Sequence, residues 1–72
     1  MNENNEKKRE IAKKFKVDNT FCHITLKNRR FLNGFILSVN TNLILFNDRV
    51  FGRIITNIND IHKISKYIIR GK

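Results

Sequence analysis

Seventy-two residues make one domain, and a chain this short buries only about 60% of its unfolded surface, so support from further copies is expected. Fifteen Lys and Arg stand against six Asp and Glu, and the net charge of +9 favours a polyanion partner, nucleic acid ahead of a membrane surface or an acidic protein. One cysteine excludes an internal disulfide, two histidines add too little for a metal cage, and without a signal peptide or an apolar run near ~18 residues the expectation is a cytoplasmic protein with no cofactor.

Residues 1–5 are polar. From Glu6 the pattern changes: Ile11, Ala12 and Phe15 fall on one stripe of a helix spanning about 6–17, with Asn4 or Asn5 as its N-cap. Its remaining face is basic, through Lys7, Lys8, Arg9, Lys13, Lys14 and Lys16. Three apolar residues are a thin membrane anchor, so this helix is expected to pack on a sheet. Asp18-Asn19-Thr20 reads as the turn that follows.

Residues 21–46 carry the strand signal. Apolar residues recur at spacing two through Cys22, Ile24 and Leu26, then through Phe31, Phe35, Leu37 and Val39 on one face and Leu32 and Ile36 on the other. Cys22 is read as a buried core thiol, and His23 and Thr25 as outward-facing. Gly34, mid-strand, predicts a bulge, a bend or close backbone approach. Breaks fall at Asn28 and at Asn40-Thr41-Asn42, then at Asn47-Asp48-Arg49. A fourth strand is expected over 50–58, distorted at Gly52, and ends at Asn59-Asp60. Residues 61–69 read as a fifth strand, although Ile61, Ile64 and Ile68 also fit helical spacing. The sum is one mainly β domain: a helix, a five-stranded bent antiparallel barrel over about 21–65, and a basic tail over 66–72.

Leu26-Lys27-Asn28, then Phe31-Leu32-Asn33-Gly34-Phe35-Ile36, Ser38-Val39-Asn40 and Leu43-Ile44-Leu45 resemble, without a gap, the first motif of Sm-like proteins. They are most similar to the bacterial and archaeal RNA chaperone Hfq. The resemblance covers about residues 8–65, with Ile11 and Phe15 at the family's apolar helix positions and Lys16 at the first of its basic rim positions. It implies the Sm fold, an SH3-like small barrel. It also implies a homo-oligomeric ring, a hexamer favoured over a heptamer, that binds single-stranded RNA. In that ring the fourth strand of each subunit pairs with the fifth of its neighbour, which here points to the segments around Ile54-Ile55 and Ile61-Ile64. Ile69-Arg70-Gly71 also resembles the second Sm motif, but that motif precedes a last strand and here one residue follows, so the match is read as coincidence.

The departures shape the expected chemistry. Arg29 stands where the family has Gly, Asn40 where it has Asp, and Asn42 where an aromatic side chain stacks uridine. Asn57-Ile58-Asn59 replaces the family's Tyr-Lys-His. A lost stacking ring forfeits about 1–3 kcal/mol per base, so a weaker uridine preference is expected.

No acidic pair beside a histidine, Gly-rich phosphate loop or nucleophile context is present, so no enzyme is expected. Binding remains. The resemblance assigns Asn40, Thr41, Asn42 and Asn59 to the pore, where amides reach base edges, although Asn also simply makes good turns. It assigns Thr25, Asn28, Arg29, Arg30 and Phe31 to the distal face, with the arginines reading as phosphate or stacking groups or as a solvated hairpin tip. Phe31 is read as core ahead of a base pocket. Lys8, Arg9, Lys13 and Lys16 are the candidates for a helix-borne phosphate track at the rim, ahead of an ordinary solvated helix face. The alternative, from another class, is a monomeric or dimeric basic barrel serving as an adaptor in a ribosomal or other nucleoprotein complex, or binding DNA.

Overall fold

The computed structural model describes residues 3–68. Residues 69–72, with Ile69-Arg70-Gly71 and the end of the basic tail, lie outside the described residues. A sixteen-residue helix α1 (Glu3–Asp18) precedes β1 (Cys22–Leu26), β2 (Phe31–Val39), β3 (Leu43–Asp48) and β4 (Gly52–Asn57), then a 3-10 turn (Ile58–Asp60) and β5 (Ile61–Lys66). The strands form one antiparallel sheet in the order β4-β3-β2-β1-β5. This is the mainly β class and the element order expected of the Sm fold.

Helix α1 starts earlier than expected, so Asn4 and Asn5 lie within it rather than capping it. Asn5 has tertiary work instead, donating from Nδ2 to Asn59 Oδ1. The other end closes as read. Asn19 turns left-handed (φ 55), its N–H reaches Lys16 O (3.2 Å), and the Thr20 N–H reaches Phe15 O (2.9 Å). These two bonds occupy carbonyls that the helix end leaves open. The helix lays Ala12 and Phe15 on the core, while Ile11 is turned partly out (39% exposed).

Alternation fills the sheet's inner face with Cys22, Ile24, Leu32, Ile36, Ile44 and Phe46. Burying a side chain such as Phe46, fully enclosed, stabilises the fold by about 1.5–3 kcal/mol. Phe31 is not in this core. It takes the outer parity of β2 and is 59% exposed, so the core reading is corrected.

Gly34 marks close backbone approach: a Cβ there would lie 1.9 Å from Asn47 O. Past Gly34, the β2–β3 register shifts between Ile36 and Ser38.

The fourth strand begins two residues later than expected, because the Asp48 carboxylate captures the Val50 and Phe51 N–H groups in a turn (2.9 Å each). The fifth is a strand, and its ambiguous spacing has a cause. The register with β1 shifts between Thr25 and Leu26, which inserts His62 as an extra residue and lets Ile61 and Ile64 both face inward. Among the described residues, no helix is long and apolar enough to cross a membrane. Strands β4 and β5 each pair on one side only, leaving two free edges.

Candidate nucleic-acid interface

Two segments far apart in sequence meet where α1 passes the β2–β3 turn. Arg9 and Lys13, one helical turn apart, share an open groove of about 560 Å³ with Val39, Asn40, Thr41, Asn42 and Leu43. The spacing of four puts both cations on one helix face. Arg9 Nε donates to Thr41 O (3.0 Å), fixing the guanidinium over the turn. The turn is closed by Asn40 N–H to Leu43 O (2.8 Å) and anchored by Ile58 N–H to Asn42 O (2.9 Å). The side chains of Asn40, Thr41 and Asn42 stay exposed. Amide donors and acceptors beside two cations, Arg9 fixed and Lys13 exposed, can read a base edge while holding its phosphate.

Asn59 joins this region through neighbours. The Asn57 side chain accepts from the Asn59 N–H (2.8 Å) and shapes the 3-10 turn, while Asn5 binds the Asn59 amide. Asn5 Oδ1 is left buried without a hydrogen-bond partner among the described residues. The other helix cations diverge. Lys16 is exposed in the last turn of α1 and does not line the groove, and Lys8 donates to Ile61 O on the β5 side.

The expected distal-face residues cluster around the β1–β2 turn. There Leu26 N–H donates to Arg30 O (2.8 Å), Arg29 N–H to Leu26 O (3.0 Å) and Arg30 N–H to Asn28 Oδ1 (3.0 Å). Arg29 sits at φ 71, the left-handed conformation in which a glycine would be at ease. Asn28, Arg30 and Phe31 line a cavity of about 250 Å³ together with Phe51, which is 72% exposed. Thr25 lies opposite Phe31 on one side and Lys63 on the other.

The outer face of β1 and β2 holds more rings than the sequence reading credited. Phe35 packs edge-on against Phe21, and Phe21 against Tyr67, with centroids 5.2 Å apart in both pairs. His23 lies 5.3 Å from Phe31 and 6.4 Å from Tyr67, and its Nδ1 donates to Asn33 Oδ1 (2.6 Å). Phe21 shares the parity of His23, a signal that alternation offers and the reading of β1 from Cys22 onward passed over. The Tyr67 contact comes from beyond β5 and has no local signal.

Asp48 was also missed. Burial pushes its carboxyl up, but the backbone N–H groups of Phe51, Asn33 and Val50, with Arg49 nearby, outweigh that and hold it below the usual carboxylate range. Its role is to close a turn. Burial pushes the Cys22 thiol up to about 11 and keeps it inert. Among the described residues, no three His, Cys, Asp or Glu side chains gather where a metal could bind. No protein-family model matches the chain, and no curated protein matches it.

Proposed function

We propose that this chain is an Hfq-like, Sm-fold RNA-binding protein of the cytoplasm that assembles head-to-tail into a homo-oligomeric ring. It holds single-stranded RNA without chemical conversion and promotes its pairing with other RNA. The groove that gathers Arg9 and Lys13 with Asn40, Thr41 and Asn42 supports this reading, because it combines backbone attraction with base-edge hydrogen bonding in one place. The free edges of β4 and β5 support the ring: Ile55, on β4, is 68% exposed and suits a second copy of the chain better than water. Closure in a ring would set several such grooves around one opening and multiply the +9 charge. With Asn42 in the place of a stacking ring, uridine is held by amides alone, and the basic surfaces supply more of the affinity.

Native mass spectrometry of nuclease-treated protein tests the assembly. With a short polyanion added, a species of six or seven copies is expected, whereas a monomer at micromolar concentration both with and without it would remove the ring and leave the adaptor or DNA-binding barrel. Fluorescence anisotropy with single-stranded RNA tests the groove. The R9Q/K13Q variant should bind about tenfold more weakly, with a shallower salt dependence. Unchanged affinity would remove the groove from the interface, and clearly tighter binding to oligo-uridine than to other sequences would contradict the altered base preference.

A further inference from the structure

A second basic groove lies on the far side of α1. Its walls come from three places in the chain: Lys7, Lys8 and Ile11 on the helix, Lys27 in the β1–β2 turn, and His62, Lys63 and Ile64 on β5. It encloses about 430 Å³, and four of its seven lining residues are lysines while none is acidic. Three of these lysines are exposed, and the fourth is held in place. Lys8 is half-buried, its ammonium is fixed on Ile61 O, and desolvation by burial, followed by the nearness of Lys27, lowers its pKa. His62 is placed beside the groove by the extra residue in β5. A groove lined by four lysines, one of them fixed, and by no carboxylate suits a multiply charged anion, which relieves the repulsion as it binds.

The position of the groove adds a consequence. Strand β5 is a free edge, and neither β5 (Ile61–Lys66) nor the opposite edge β4 (Gly52–Asn57) contains an acidic residue, while β4 brings Arg53. Joining the two edges therefore gathers cations on both sides of a seam whose two strands carry no carboxylate of their own, Asp60 standing in the turn just before β5.

We propose that the Lys7–Lys8–Lys27–Lys63 groove is a binding site for phosphate-class anions, free polyphosphate or the phosphodiester backbone, and that its occupancy permits β4 of one copy to pair with β5 of the next. The second clause rests on the ring reading, and the first stands without it. The groove is distinct from the one lined by Arg9 and Lys13, with which it shares no residue.

The probe is inorganic tripolyphosphate, titrated calorimetrically into nuclease-treated full-length protein and followed in parallel by sedimentation at low ionic strength. Binding should saturate and weaken by about tenfold in K7Q/K27Q/K63Q, while R9Q/K13Q stays within about twofold of the parent. Lys8 is left in place because it also ties α1 to β5. Equal weakening in both variants would overturn the site, since diffuse charge then explains the binding. Competition by a short oligoadenylate would assign the site to phosphodiester, and saturable binding without competition to free polyphosphate. In the sedimentation arm, tripolyphosphate should convert parent protein to the larger species, and K7Q/K27Q/K63Q should assemble without it. A parent ring that forms fully without any anion would overturn the gating clause alone. Monomer under every condition would sink the ring reading and the gating together, while the calorimetry still decides the site.

Discussion

The turns at the two ends of β3 use similar residues in opposite ways. At one end, Asn47-Asp48-Arg49 leads a reversal closed by one inward-looking carboxylate: Asp48 is 5% exposed and its oxygens accept three backbone N–H groups, while Asn47 and Arg49 are exposed. At the other, the backbone of Asn40-Thr41-Asn42 is tied down through Asn40 and Asn42, yet all three side chains face solvent beside Arg9 and Lys13. A turn that spends its side chains on its own backbone is structural. One that secures its backbone and leaves its side chains free is available for a ligand.

The sharpest break of this contrast is at Gly34, which faces Asp48 across the sheet. Gly34→Ala drives a methyl into Asn47 O and should cost about 3 kcal/mol or more, read as a collapsed urea midpoint. A near-parental midpoint would show that the two strands have room to part.

Next comes Asp48→Ala, which strands three partly buried donors and should cost about 2 kcal/mol. The same residue gives a pH signature. Because its folded pKa is depressed, its stabilisation is complete above the unfolded carboxylate value of about 3.9 and is lost as the pH falls through the folded value. Urea midpoints of the parent should therefore drop in acid more steeply than those of the Ala variant. Parallel acid limbs would remove Asp48 as the cause.

The open turn should behave in reverse. Asn40→Ala with Asn42→Ala should leave stability within about 0.5 kcal/mol while weakening single-stranded RNA binding by about fivefold, the worth of one or so hydrogen bonds. A loss of stability without loss of binding would make this turn structural as well. Smallest of all is Arg29→Gly. Relief of the left-handed backbone is offset by a freer unfolded chain, so stability should move by less than about 1 kcal/mol. RNA affinity should fall slightly, and an unchanged affinity would make the hairpin tip a solvated one.

The strands were legible because alternation over Cys22–Leu26 and Phe31–Val39 is a local pattern, and so was the use of Gly34. Local pattern fails where a residue's role depends on distant partners. Asp48 looked like one more turn former, since the N–H of Asn33 that it accepts is fifteen positions away. The lysine groove is assembled from three segments, so no window of sequence contains it. Phe31 was misread because hydrophobicity says that a ring prefers burial, but parity along β2 decides which face it takes. The spacing of Ile61 and Ile64 imitated a helix because a bulge adds the same extra residue that a helical turn would.

Cys22 turns the core into its own reporter. The chain has a single thiol, it is fully enclosed, and it stays protonated at ordinary pH. A thiol-specific reagent can reach it only while β1 and its neighbours separate, so the labelling rate acts as a stopwatch for the opening of the barrel. Anything that binds only the closed form should slow that clock in proportion to its occupancy. Ligand affinity can then be timed on the unmodified chain, without a fluorophore or an engineered probe.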